Sequence, residues 1–151
     1  MMTVLTQPEI FMVELYGTNN RRKSNMIEKI IRRVEKDGQF DVIVTTDIVK
    51  KNKCWNTSID VRRIQKELGI KLGLQLQEKK LEERAGCLSD KIKMKQNILI
   101  ILENLSSEIN LATIGIPFGN NHKGCKIILV SENQEVLNNK MKTQITFSVD
   151  D

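Results

Sequence analysis

Gly17, Lys23 and Ser24 have the types and the spacing to hold a phosphate group. They lie in Gly17-Thr18-Asn19-Asn20-Arg21-Arg22-Lys23-Ser24, at three of the four fixed positions of a glycine, four variable residues, glycine, lysine, Ser/Thr pattern. The remaining position asks for glycine and holds Arg22. Such a loop works because successive backbone N–H groups turn inward and a helix N-terminus faces the anion. Lysine adds a point charge, and the hydroxyl reaches a magnesium ion. Glycines serve where φ is positive or where a Cβ would keep the backbone from the phosphate. Asn19 and Asn20 tolerate left-handed backbone. Arg22 does not, and a loop of this shape is expected to cost it about 1–3 kcal/mol of strain. A phosphate-pairing guanidinium is the only offset its chemistry offers. On spacing alone, a plain polar turn with an accidental Lys-Ser pair is an equally open reading.

Two further strand ends carry polar residues. Leu102-Glu103-Asn104 puts a carboxylate after an aliphatic run, where magnesium is held beside a phosphate loop, or else where a strand end is merely solvated. Asn104 cannot take a proton from water, so that end has no second carboxylate as base. Val130-Ser131-Glu132 offers an anion where a bound phosphate prefers a cation. His122, the one histidine, falls in an Asn/Gly turn and reads as an exposed turn residue. Cys54, Cys87 and Cys125 are far apart, without metal-ligand spacing, and read as reduced thiols.

Strands and helices in alternation must position these groups. Ile10 to Tyr16 is an apolar run, and Met26, Ile27, Ile30, Ile31 and Val34 then fall on one helical stripe that stops at Gly38. Phe40 to Thr46 is β-rich. Thr57-Ser58-Ile59-Asp60 resembles a capping box with Thr57 as N-cap, leading into a helix marked by Val61, Ile64 and Leu68, with Gly69 as a stop. Leu81, Ala85, Leu88 and Ile92 keep helical spacing. Ile98 to Leu102 is the continuous aliphatic strand typical of a parallel sheet. A short helix over Leu111 to Ile114, a strand over Cys125 to Val130, a short helix over Gln134 to Asn138 and a last strand over Ile145 to Val149 complete the chain. The pattern predicts one α/β domain over residues 1–151, with right-handed crossovers and ligands at the carboxyl ends of the strands.

The charge, +5 with pI about 9.2, comes with basic pairs at Arg21-Arg22, Arg32-Arg33, Lys50-Lys51, Arg62-Arg63 and Lys79-Lys80. Most pairs lie inside predicted helices and read as solvated faces. One Tyr and one Trp leave little for stacking on bases, which argues against nucleic acid as partner. The longest aliphatic run, Ile98 to Leu102, is far too short to cross a bilayer. Met1 to Leu5 lacks the basic start and long apolar core of a secretory signal.

Several strings together resemble the nucleotide-binding (NB-ARC) domain of plant coiled-coil NBS-LRR disease-resistance proteins, over about residues 10–149. They are Phe11-Met12-Val13-Glu14-Leu15-Tyr16-Gly17, Asp37-Gly38-Gln39-Phe40-Asp41-Val42-Ile43-Val44, Val61-Arg62-Arg63-Ile64-Gln65, Ile98-Leu99-Ile100-Ile101-Leu102, Leu111-Ala112-Thr113-Ile114-Gly115-Ile116-Pro117-Phe118-Gly119 and His122-Lys123-Gly124-Cys125-Lys126-Ile127. The resemblance implies a three-layer P-loop NTPase-like fold with a mostly parallel five-stranded sheet flanked by helices. It implies an ADP/ATP-binding switch module of an NLR-type defence protein, cytoplasmic, with ADP or ATP and Mg2+ as ligands. Gly17, Thr18, Asn19, Asn20, Arg21, Arg22, Lys23, Ser24 and Asn25 are then the nucleotide-binding residues, and Ser24 and Glu103 the metal ligands. The chain departs from the family pattern at Asn19-Asn20-Arg21-Arg22, at Asn104, at Glu132 and at Leu105-Ser106, where a tryptophan is expected. Binding is therefore expected to be weak or lost, and hydrolysis very slow or absent. The alternative is a nucleotide-free scaffold that pairs with a full-length receptor.

Overall fold

The computed structural model describes residues 4–48, 60–76, 79–105, 109–132 and 144–149. Five strands form one sheet: β1 (Met12–Tyr16), β2 (Val42–Asp47), β3 (Ile98–Leu105), β4 (Cys125–Ser131) and β5 (Ile145–Ser148). Their spatial order is β2-β3-β4-β1-β5, and every neighbouring pair is parallel. The sheet expected to be mostly parallel is thus parallel throughout the described strands. Among the described residues four α-helices accompany it: α1 (Asn20–Asp37), α2 (Val61–Lys71), α3 (Leu81–Lys93) and the single turn α4 (Leu111–Ile114).

Strand alternation divides the core into two layers. Ile98, Ile100 and Leu102 of β3, with Ile127 and Leu129 of β4, pack with Ile64 and Leu68 of α2, Leu88 and Ile92 of α3 and Leu111 and Ile114 of α4. Leu99, Ile101, Ile128 and Val130 face the other way, onto Ile27, Ile30 and Val34 of α1. Helices on both faces of a parallel sheet make the three-layer α/β arrangement. Each of these buried aliphatic side chains contributes roughly 1.5–3 kcal/mol of transfer free energy.

The helix boundaries show where local signals were overridden. α1 ends as expected, with Gly38 left-handed at φ 64° and its N–H donating to the Glu35 carbonyl. α2 starts later than the capping-box reading placed it. Its N-cap is Asp60, whose side chain accepts from the Arg63 N–H, while Thr57 lies outside the described residues. Arg63 explains this start, since its guanidinium donates to the Asp47 and Ile48 carbonyls at 2.8 and 2.7 Å and pairs with Glu67 at 2.8 Å. That clamp fixes the first turn of α2 against the end of β2. Gly69 does not stop the helix, which runs on to Lys71. It is buried, and a Cβ there would meet the Leu76 side chain at 2.8 Å. The expected helix over Gln134 to Asn138, together with Lys50-Lys51, Cys54 and Trp55, lies outside the described residues.

Polar groups also stitch the helical layer. Gln65, fully buried on α2, donates through Nε2 to the Leu81 and Ile114 carbonyls at 3.1 and 3.2 Å, joining α2 to α3 and α4. Gly115, left-handed at φ 109°, lets α4 press against α3: a Cβ there would sit 2.4 Å from the Ala85 carbonyl oxygen. On β1, Glu14 is wholly buried between Leu129 and Thr146 of the flanking strands, and among the described residues neither carboxyl oxygen has a hydrogen-bond partner. Burial pushes its carboxyl up to about 7.

Candidate functional site at the carboxyl ends of the strands

The connection from β1 to α1 is shorter than a phosphate loop of eight residues. Helix α1 already begins at Asn20, so only Gly17, Thr18 and Asn19 link strand to helix. Asn19 is the N-cap: its Oδ1 accepts from the Arg22 N–H at 3.1 Å and its carbonyl accepts from the Lys23 N–H at 3.1 Å. Arg22 therefore sits in the first helical turn, and among the described residues the only non-glycine with positive φ is Asn104. The strain expected at Arg22 does not arise, because the helix absorbs the residues that would have formed the loop.

The structure brings part of the predicted set together. Asn20, Lys23, Ser24, Glu103, Asn104 and Val130 line one cavity of about 70 Å³. Lys23 is buried, and its ammonium donates to the Ser131 carbonyl at 3.5 Å; the same carbonyl accepts from the Gly17 N–H at 3.1 Å. Gly17 is buried and outside the lining, and Thr18, Asn19, Arg21, Arg22 and Asn25 are exposed and do not line the cavity either. Glu132 is exposed and also lies off the lining. His122 differs from the exposed turn residue expected of it. It is half-buried and its Nε2 bonds the Lys95 carbonyl at 2.8 Å, tying the turn to the end of α3.

One residue at this edge escaped the sequence reading. Asp47 ends β2 directly opposite Glu103 in the parallel register, and its Oδ2 accepts from Asn104 Nδ2 at 2.9 Å. Glu103 is held above the ordinary carboxylate range, first by burial and then by the Asp47 charge, with Lys71 opposing. A carboxylate closing a β-rich run was the available signal. The β-rich run legible in the sequence, Phe40 to Thr46, stops one residue short of Asp47.

Chemically this set fits one phosphate group and a cation: an ammonium, a hydroxyl and a carboxylate around a space of roughly two waters at ~30 Å³ each. Two of the amides that could face a phosphate, those of Arg22 and Lys23, are already accepted by Asn19. Among the described residues no helix is long and apolar enough to cross a membrane.

The NB-ARC domain profile matches residues 1–150. Among curated proteins, disease resistance protein RFL1 of Arabidopsis thaliana is 29 % identical over 136 residues, covering 87 % of this chain. Disease resistance protein RPS5 of the same plant is 24 % identical over 125 residues, covering 81 %. The matched segments make up 14 % and 13 % of those proteins, so the chain spans about one-seventh of their length. With a parallel three-layer sheet, a strand–turn–helix at β1 and the profile matching nearly its whole length, the chain belongs to the NB-ARC domain family.

Proposed function

We propose that this chain is an ADP/ATP-binding switch module of a plant disease-resistance protein, NLR-type and cytoplasmic, with little or no hydrolysis. One observation carries the reading: Lys23, Ser24 and Glu103 share a cavity at the carboxyl ends of β1 and β3. Open parallel sheets bind ligands at that edge. In this reading Lys23 neutralises phosphate, Ser24 and Glu103 face a magnesium ion, and α1 adds the positive end of its dipole. Asn104 in place of a carboxylate supports weak or absent hydrolysis. ADP with magnesium is expected to raise the melting temperature, and Lys23→Ala to abolish the rise. Because Lys23 is buried, the exposed Ser24→Ala serves as a second variant, expected to weaken only the magnesium-dependent part. No shift at millimolar ADP would end the proposal.

The cap made by Asn19 favours a second reading, in which the sheet is kept as a nucleotide-free scaffold that pairs with a full-length receptor. Co-purification with such a receptor, unchanged by Lys23→Ala and by ADP, separates it from the first.

A further inference from the structure

The cavity owes its carboxylate to an irregular piece of β3. Leu102 pairs with Leu129 and Leu105 with Ser131, so β3 carries one residue more than β4 across this step and bulges at Glu103 and Asn104. The extra residue is accommodated by Asn104 turning left-handed, at φ 61°. A left-handed asparagine is tolerated, yet nothing in its own chemistry enforces that conformation. What holds it comes from the end of β2. Asp47 Oδ2 accepts from Asn104 Nδ2 at 2.9 Å, and the next residue, Ile48, donates its N–H to the Glu103 carbonyl at 2.9 Å. Both residues of the bulge are thus tied to one strand end, and both line the cavity with Lys23 and Ser24.

We propose that Asp47 is the positioning residue of this site: by latching Asn104 in its left-handed state it keeps the bulge formed and Glu103 turned toward Lys23 and Ser24. Asp47 does not line the cavity; the hold of its side chain on the bulge runs through Asn104. The inference rests on the nucleotide-binding reading for its function, and its structural half can be tested without nucleotide.

The test is a double-mutant cycle on the full chain, comparing wild type, Asp47→Ala, Asn104→Gly and the double variant, with Asp47→Asn alongside. Asp47 and Asn104 are exposed, so the variants are expected to fold. Glycine takes positive φ without a latch. Asp47→Ala should therefore lower the melting temperature by about 2–4 °C, and adding Asn104→Gly should restore most of that loss. Asn104→Gly alone should change little, and Asp47→Asn, which keeps an acceptor oxygen, should resemble wild type. In titrations with ADP and magnesium, Asp47→Ala should weaken binding about fivefold or more, with Asp47→Asn within about twofold of wild type. Additive melting shifts, or equal losses in Asp47→Ala and Asp47→Asn, would overturn the latch. If wild type shows no response to ADP, the nucleotide reading falls, and the melting cycle by itself upholds or overturns the latch.

Discussion

Replacing Glu14 by glutamine removes a negative charge that the interior of the sheet does not solvate. Glu14 is fully buried, neither oxygen has a partner among the described residues, and burial pushes its carboxyl up to about 7 from the ordinary 4.5. The folded chain therefore holds this proton up to about pH 7, while the unfolded chain releases it near 4.5. Folded-state proton uptake makes stability fall as pH rises through that window, and the loss is complete once pH passes about 8. The gap corresponds to roughly 3 kcal/mol. For a chain of this size that is about 6–12 °C of melting temperature. Glutamine has the same shape and no charge, so below pH 4.5 the two proteins should be nearly equal in stability. The advantage of Glu14→Gln should then grow from pH 5 to pH 8. Urea unfolding of both proteins at half-unit pH intervals measures it, and groups common to both cancel in the difference. Parallel curves across pH 5–8 would refute the reasoning, because they would mean that water or a cation reaches the carboxylate.

Two further outcomes are expected. Asn19→Gly removes the side-chain acceptor from the Arg22 N–H at a cost of only a few tenths of a kcal/mol. In the nucleotide-binding reading it should tighten ADP binding, because one amide becomes available to phosphate; calorimetric titration reads this, and an unchanged or weaker affinity counts against it. Gly115→Ala should destabilise by about 3 kcal/mol or more, since the glycine is left-handed and the new methyl would meet the Ala85 backbone. Chemical denaturation measures that loss, and a change under 1 kcal/mol would mean that α3 and α4 are free to separate.

Much of the fold was legible because burial writes itself into residue type. The run Ile98-Leu99-Ile100-Ile101-Leu102 has no polar face, and in the structure both of its faces are covered, one by α1 and one by the opposite helical layer. The short helix from Leu111 to Ile114 was legible too, with Asn110 capping the Thr113 N–H. The start of α1 was not, because a phosphate-loop template and an asparagine N-cap make competing claims on the same residues. Asn19 with Arg22 three residues on is an ordinary cap position, and the helix prevails. Asp60 over Thr57, and the passage of α2 through Gly69, depended on partners distant in sequence: Asp47 and Ile48 for Arg63, Leu76 for Gly69. Glu14 stands in one of the strings that carry the family resemblance, but a lone acid in an apolar run gives no hint of whether the strands beside it supply a partner. The candidate site followed the same division. Lys23, Ser24 and Glu103 were found from strand-end logic, whereas Asp47 becomes visible only when parallel pairing sets β2 beside β3.

The strand order also bears on how the chain emerges from a ribosome. Met12 pairs with Ile127, and Val13 pairs with Ile145, so β1 is made early and both of its neighbours come late. β2 and β3 lie closer in sequence and can join first, leaving β1 with two unsatisfied edges until β4 and β5 arrive. A growing chain in that condition offers an apolar strand to any other chain nearby. Translation that pauses before β4 should therefore favour aggregation, and holdase chaperones should engage the nascent chain most strongly over that interval.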